Sequence, residues 1–189
     1  MKRSRKVWSL IAIGPLVAIA TGALALSAGA DTQAARATLR DASGNVVGVV
    51  KLSLTDGKIG VKARVEGLPA GFHGFHIHSA GTCDASVGFA SAGGHFNPTR
   101  ATHGGHAGDQ PVLLVNADGT AELRFTTDRY AVGDLFDAGG SAFIVHAGAD
   151  NYANIPTRYS AAGVAGPDTT TLATGDAGAR SACGVIVAS

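Results

Sequence analysis

Short stretches of alternating apolar and polar residues dominate the first part of the chain after residue 30. They are clearest at residues 35–40, 46–54 and 59–65. A period of two places one set of side chains on a buried face and the other on an exposed face, which is typical of β-strands. The connections at 41–45 and 55–57 combine Asp with Gly and indicate hairpin turns. This region therefore predicts three strands joined by hairpins.

Further apolar segments continue the pattern. They are residues 112–115, 121–126, 142–146 and 184–187. Two long segments, 79–110 and 147–180, break the strand rhythm and are rich in Gly, Ala, Asp and Thr. Loops of that length in a compact domain are usually functional or disordered, and the histidines within and beside them favour function. We predict an antiparallel β-sandwich or barrel that carries its function in two long loops.

The first 30 residues differ from the rest. Four basic residues near the start precede an uncharged stretch, 7–30, that ends in Ala28, Gly29 and Ala30. This order predicts a secretory signal peptide over 1–30 and a single domain over 31–189. The alternative is an uncleaved membrane anchor, because the uncharged stretch is long enough to span a bilayer. We expect export to the periplasm, the cell envelope or the extracellular space.

Composition and charge narrow the class of protein. Of the residues, 46% are hydrophobic, only 6% are aromatic, and 27 are glycine, which suits short strands better than long helices. The chain has 15 basic and 14 acidic residues, and four of the basic but none of the acidic ones lie in the first 30. The mature chain is therefore mildly acidic and gives no support for nucleic-acid binding.

Cys83 and Cys183 are the two cysteines of the chain. An oxidising compartment outside the cytoplasm would let such a pair form a disulfide. The alternative is two buried free thiols.

All seven histidines lie after residue 70. His76 and His78 are two apart, so in a strand both imidazoles point to the same side and can bind one ion. A second cluster combines three imidazoles with one carboxylate, a set that suits tetrahedral zinc. Its members are His95, His103, His106 and Asp109. An imidazole-rich site made by His76, His78 and His146 suits copper instead.

Three motifs resemble the copper-zinc superoxide dismutases. They are GFHGFHIH at 71–78, GGHFNP at 93–98 and GARSACGV at 178–185. The resemblance extends from about residue 35 to 189. It implies a Greek-key antiparallel β-sandwich or barrel of about eight strands, since this family has the sandwich architecture.

The resemblance also implies a role for each metal-type residue. Copper would be bound by His76, His78, His95 and His146. Zinc would be bound by His95, His103, His106 and Asp109. His95 would then bridge both ions as an imidazolate and later carry a proton, whereas His73 would support the site without binding metal.

Two further positions match residues that act beside the metals. Asp150 corresponds to an acidic residue that links a copper-ligand histidine to a zinc-ligand histidine, and outer carboxylates of this kind orient the rings. Arg180 corresponds to the arginine that draws superoxide towards copper. The segment 167–173 has fewer charges than many relatives carry, so we expect steering to be weaker or to rest on Arg180 alone. The role of Arg158 in the second long loop stays open.

The implied activity is dismutation of superoxide to hydrogen peroxide and oxygen by a copper and zinc enzyme. The alternative is a copper-binding or copper-delivering protein on the same fold without turnover. An immunoglobulin-like adhesion module would explain the strands and the disulfide but not the histidines. We expect no membrane association after signal cleavage, and we leave open whether the chain is a monomer or a homodimer.

Overall fold

The structure is a computed structural model that describes residues 32–189. Its strands are β1 Thr32–Asp41, β2 Val46–Thr55, β3 Lys58–Val65, β4 Gly71–His73, β5 Phe75–His78, β6 Leu113–Val115, β7 Ala121–Thr127, β8 Ala142–His146, β9 Ser160–Ala161, β10 Val164–Ala165 and β11 Arg180–Ala188. Its helical segments are α1 Thr171–Thr174 and the 3₁₀ helices Ala85–Val87, Ala90–Ala92 and Val132–Phe136. Within this range no helix is long and apolar enough to cross a membrane. The predicted signal peptide, 1–30, lies outside the described residues.

Seven strands form one antiparallel sheet in the order β5-β8-β11-β1-β2-β3-β7. β1, β2 and β3 follow one another as hairpins, and β11 returns from far along the chain to pair with β1. This order is typical of a Greek key. β4 pairs with β6, and β6 contacts β7, so the small pair continues the curl of the sheet. The antiparallel barrel agrees with the predicted fold class.

The two-residue alternation determines which face each strand buries. In β1, Ala35 and Leu39 are fully buried, whereas Arg36 between them is exposed. In the centre of the core, Phe75 of β5 stacks on Phe143 of β8 with ring centroids 5.1 Å apart. Burial of each such ring contributes roughly 2–3 kcal/mol. This pair fixes β5 against β8, the two strands that carry three of the histidines.

The C-terminal end of the second long segment is a strand in the structure, whereas the sequence predicted a loop there. Arg180 is the first residue of β11 and is paired with His146, so it lies on a strand and not in the loop. Residues 180–183 lack the apolar run on which the prediction depended, but pairing with β8, and at 182–183 also with β1, keeps them extended. The segment also contains the β9–β10 hairpin and α1, which its polar composition did not indicate.

The first long loop folds back onto β5. Phe96 N donates to Ile77 O at 2.8 Å, and Ile77 N donates to Gly108 O at 2.9 Å. A Cβ at Gly108 would lie 2.4 Å from Ile77 O, so this close approach requires glycine. The loop also contacts the second long loop, since His103 N donates to Leu172 O at 2.8 Å. The two loops are therefore joined to the sheet and to each other.

A disulfide joins Cys83, near the start of the first long loop, to Cys183 on β11. Cys183 is buried in a small apolar cluster with Phe89 and Ile144. The bond fastens one end of the loop to a central strand.

Candidate metal centre

The edge of the sheet formed by β5 carries the first group of histidines. His76 and His78 lie two residues apart in β5, and both are buried. His146 ends the neighbouring strand β8, and its N–H donates to Gly74 O at 2.8 Å. The folded-back loop places His95 beside β5, where it forms an isolated bridge with His78. Strand pairing thus brings four imidazoles from three parts of the chain together.

One ring nitrogen from each of these four histidines lies within 4.8 Å of the others. Three of these nitrogens are buried and have no hydrogen-bond partner among the described residues: His76 Nδ1, His78 Nε2 and His146 Nε2. Buried polar atoms are normally paired, because leaving one unpaired costs about 1–3 kcal/mol. A metal ion between them would satisfy all three nitrogens.

In two of these rings, those of His78 and His146, the opposite nitrogen is held by the backbone. His78 Nδ1 donates to Gly93 O at 2.9 Å, and His146 Nδ1 donates to Gly178 O at 3.0 Å. These bonds leave each Nε2 with a lone pair directed into the cluster. Burial lowers the pKa of His78 to about 2 and the pKa of His146 to about 3. Both rings therefore stay neutral at physiological pH, the form that binds metal.

The second group lies on the other side of His95 and contains a carboxylate. Asp109 Oδ1 lies 2.9 Å from His95 Nδ1 and 3.2 Å from both His103 Nδ1 and His106 Nδ1. Donors about 2.0 Å from a tetrahedral zinc ion would be spaced by roughly 3.3 Å. The other oxygen, Asp109 Oδ2, accepts from Gly104 N at 2.8 Å and His106 N at 2.9 Å. The backbone thus aims one carboxylate oxygen at the three imidazoles.

His95 belongs to both groups. Its Nδ1 lies 3.2 Å from His106 Nδ1, inside the second group. Its ring centroid lies 4.1 Å from that of His76 in the first group. Nε2 is the nitrogen that remains for the first group, so a single ring separates two potential ions.

Asp150 connects the two groups by hydrogen bonds to one histidine of each. Its two carboxylate oxygens accept from His76 Nε2 at 2.6 Å and from His103 Nε2 at 2.8 Å. Burial would raise the pKa of Asp150, but hydrogen bonds from His103 and His76 outweigh it and lower that pKa. Burial would likewise lower the pKa of His103, yet Asp109 and Asp150 raise it to about 9. The second group therefore favours positive charge, which a metal cation would supply.

Arg180 lies beside the first group at the start of β11. Its guanidinium donates to Phe89 O and, from Nη2 at 2.6 Å, to Gly93 O. Gly93 O is also the acceptor for His78, so Arg180 and a potential metal ligand share one carbonyl. Burial lowers the pKa of Arg180 from its usual value, yet the side chain is only half-buried. The cation therefore supports the loop and remains accessible to solvent.

Two residues singled out in the sequence lie outside the groups. His73 Nδ1 is 2.6 Å from His146 O, and His73 Nε2 is 2.8 Å from Pro69 O. Both nitrogens are thus engaged by the backbone, as expected for a supporting residue. Arg158 is exposed, and its guanidinium carbon lies 4.8 Å from the centroid of the Tyr159 ring.

Comparison with known proteins identifies the family. The sequence model of copper/zinc superoxide dismutase (SODC) matches residues 46–186. The chain belongs to the copper/zinc superoxide dismutase family. It is 43% identical to the superoxide dismutase [Cu-Zn] of Mycobacterium tuberculosis over 168 residues, which cover 82% of this chain and 70% of that protein. The corresponding protein of Deinococcus radiodurans is 32% identical over 197 residues, covering 94% and 97%.

Solved structures agree with this assignment. The crystal structure of a SOD-like protein from Bacillus subtilis has a TM-score of 0.64 and 30% sequence identity, with 84% of this chain and 100% of that one covered. The resemblance and fold class predicted from the sequence are confirmed. The chain is a superoxide dismutase of the copper/zinc type, an oxidoreductase whose cofactors are copper and zinc.

Sequence reasoning missed Tyr152 as a part of this dismutase site. Its backbone N–H donates to Asp150 Oδ1 at 2.6 Å, and its ring stacks on His103 with centroids 6.3 Å apart. Its hydroxyl accepts from Val112 N at 2.8 Å and lies 3.3 Å from Gln110 O. Tyr152 therefore connects the second loop to the first. The only sequence signal was an aromatic residue two positions after the matched Asp150.

Gly175 is a second residue that the sequence did not single out. It has a φ of +60°, and a Cβ there would lie 2.0 Å from Asp150 Oδ1 and 2.2 Å from His103 Nε2. We expect Gly175→Ala to displace one of these side chains and to weaken zinc binding about tenfold to a hundredfold, the usual cost of disturbing such supporting contacts. Zinc affinity by competitive chelator titration is the measurement.

Gly163→Ala is the matched control. Gly163 also has a positive φ, +83°, but a Cβ there would meet nothing within 4 Å. The control therefore carries backbone strain without the steric conflict. Equal zinc affinities for the two variants would contradict the proposed crowding.

Proposed function

We propose that this dismutase converts two superoxide anions and two protons to oxygen and hydrogen peroxide with copper in the first histidine group and zinc in the second. The copper ligands would be His76, His78, His95 and His146. The zinc ligands would be His95, His103, His106 and Asp109. The observation that carries the proposal is the sharing of His95 by two four-donor groups. Four nitrogens suit copper, and three nitrogens with one carboxylate suit tetrahedral zinc.

When bound, copper supplies one-electron redox chemistry, and zinc supplies a fixed charge without redox chemistry. The protein would supply the proton. His95 Nε2 would hold a proton and donate it to the reduced substrate, while Nδ1 stays directed at Asp109 and His106. Water would provide the second proton. The reaction then balances without another reductant or oxidant.

The surrounding residues would keep this chemistry in a fixed geometry. Gly93 O and Gly178 O hold two rings, and Asp150 holds a third while also fixing His103. Because these contacts hold the rings in place, little reorganisation would accompany each turnover. The histidine side chains are nearly fully buried, so only a small anion could reach the proposed copper site.

The experiment that tests the function measures copper and zinc content together with superoxide-dismuting activity of the purified protein. Turnover by protein with one copper and one zinc supports the proposal. Stable copper binding without turnover would favour a copper-delivering protein, the alternative left by the sequence. That alternative is not favoured, because the complete donor set of both groups is present.

We further propose that Arg180 attracts superoxide towards the copper group. Arg180→Ala is expected to lower kcat/KM about tenfold to a hundredfold, which lies within the roughly 10–10³-fold by which electrostatic steering raises association rates. Activity should also fall as ionic strength rises, since the Debye length is about 8 Å at physiological salt. Stopped-flow rates at several salt concentrations, with metal content measured in parallel, check both statements.

Arg180→Lys is the control for charge, since it keeps the cation but alters the hydrogen bonds to Phe89 O and Gly93 O. We expect Lys to restore most of the salt dependence. Full activity of Arg180→Ala at low salt would show that the guiding cation lies elsewhere, and Arg158 would then be substituted first.

We also propose that the chain is exported, with a signal peptide over 1–30 and the dismutase domain over 31–189. The disulfide supports an oxidising compartment, periplasmic, envelope-bound or extracellular. A relative from Brugia pahangi, 32% identical over 164 residues, carries the name extracellular superoxide dismutase [Cu-Zn]. N-terminal sequencing and the molar mass of the secreted protein would test signal cleavage and the choice between monomer and homodimer.

A further inference from the structure

Four basic residues form a continuous row across the outer face of the sheet. Strand register places Arg36 of β1 opposite Lys51 of β2, Lys51 opposite Lys62 of β3, and Lys62 opposite Arg124 of β7. Neighbouring strands are about 4.8 Å apart, so the four positions extend over roughly 14 Å. We call these four residues the cationic row.

The cationic row lowers the stability of the isolated chain, because like charges directly opposite each other in a sheet are destabilising. The acidic residues that the structure describes on these four strands are Asp41 and Glu122. Asp41, at the end of β1, accepts hydrogen bonds from Asn45 in the adjoining turn. Glu122 is shared by Arg64, at 2.8 Å, and Arg124. No ion pair within residues 32–189 includes Arg36, Lys51 or Lys62. The row therefore keeps a net positive charge in a chain whose mature part is mildly acidic.

A cleft of about 550 Å³ lies along the row. Its lining includes Lys51, Lys62 and Arg124 together with the hydroxyl groups of Ser53 and Thr126. A Cβ at the central residue, Gly60, would lie 2.7 Å from Ser53 Oγ, so the absence of a side chain there keeps the cleft open. Cations beside hydroxyl donors are the groups that bind phosphate oxygens. Partial desolvation and the charge of Arg124 also lower the pKa of Lys62, as expected for crowded cations.

We propose that the cationic row is a docking surface for a linear polyphosphate-type polymer, a flexible chain with closely spaced phosphates and no bases. A row of charges one strand apart matches a linear chain that crosses the strands. Nucleic-acid surfaces combine such charge with exposed aromatic rings that stack on bases. The exposed aromatic residues of the described chain, Phe72, Phe136, Tyr152 and Tyr159, all lie outside these four strands. Phe125 of β7 lines the cleft, but it is half-buried and packs against the hydrophobic core.

The cationic row and the two histidine groups lie on different elements of the fold. The row lies on β1, β2, β3 and β7, whereas the histidine groups lie on β5, β8 and the first long loop. The two regions approach each other at Phe125 and Thr126, which line both the cleft and a neighbouring cavity that Asp109 also lines. Docking would hold the enzyme on a polyanionic matrix without covering the first histidine group, since none of its members lines either cavity.

The test measures binding of the metal-loaded protein to fluorescent long-chain polyphosphate at several salt concentrations. We expect Lys51→Gln with Lys62→Gln to weaken binding about tenfold and to reduce the slope of log affinity against log salt by about two. Dismutase activity of the variant should stay within twofold of the parent. Its melting temperature should not fall, because the substitutions relieve repulsion on an exposed face.

Arg100→Gln with Arg158→Gln is the matched control, because both arginines are exposed in loops and the net charge changes equally. The control should keep parental affinity for polyphosphate. Equal weakening in both double variants, or no binding by the parent protein at low salt, would overturn the proposal. Tighter binding of oligothymidylate of the same charge than of polyphosphate would also overturn it and assign the surface to nucleic acid.

Discussion

His95→Ala is expected to lower superoxide-dismuting activity by roughly a hundredfold or more and to weaken the binding of both metals. His95 is the one ring shared by the two donor groups. Its loss would remove a ligand from each group and also the proposed proton donor, and loss of a proton-transfer group alone costs about 10²–10⁴ in rate. Titrations with copper and with zinc, followed by the visible spectrum of the copper protein, measure the two affinities separately.

His106→Ala is the comparison that makes this result specific. His106 lies 3.2 Å from both Asp109 Oδ1 and His95 Nδ1 and belongs only to the second group. The substitution His106→Ala should mainly reduce zinc affinity and leave copper bound. Unchanged copper affinity and an unchanged copper spectrum in His95→Ala would show that His95 does not bridge the two sites.

Removal of the disulfide is expected to have the largest effect on stability. Cys83 and Cys183 are separated by 100 residues, and closing an interval of that length stabilises the fold by roughly 4–5 kcal/mol through loop-closure entropy. The free energy of unfolding of Cys83→Ser with Cys183→Ser, measured by urea denaturation, should fall by about that amount. Reduction of the parent protein by a thiol reagent should produce the same change.

Activity should decrease together with stability, because the bond holds the loop that positions Arg180 and His78. The carbonyls of Phe89 and Gly93, which accept from these side chains, follow Cys83 in that loop. Without the bond the loop would be fixed only by weaker contacts. Two free thiols in the folded, exported protein would contradict the disulfide, and unaltered activity of the reduced enzyme would contradict the proposed coupling.

The sequence determined most strands, because alternation along a strand is a local property. The strand predicted at 142–146 matches β8, and the spacing of His76 and His78 correctly placed both rings on one side. The residue types also indicated metal chemistry, since imidazoles and a carboxylate suit zinc and copper. Identification of the family required the longer motifs that surround these residues.

The tertiary structure decided which distant residues meet. Local periodicity says nothing about strand pairing, so it could not place His146 beside β5 or Arg180 at the start of β11. The two hydrogen bonds of Asp150 depend on how two long loops pack, and irregular loops have no period to read. The cationic row likewise exists only because the register of four strands aligns basic residues that are far apart in the chain.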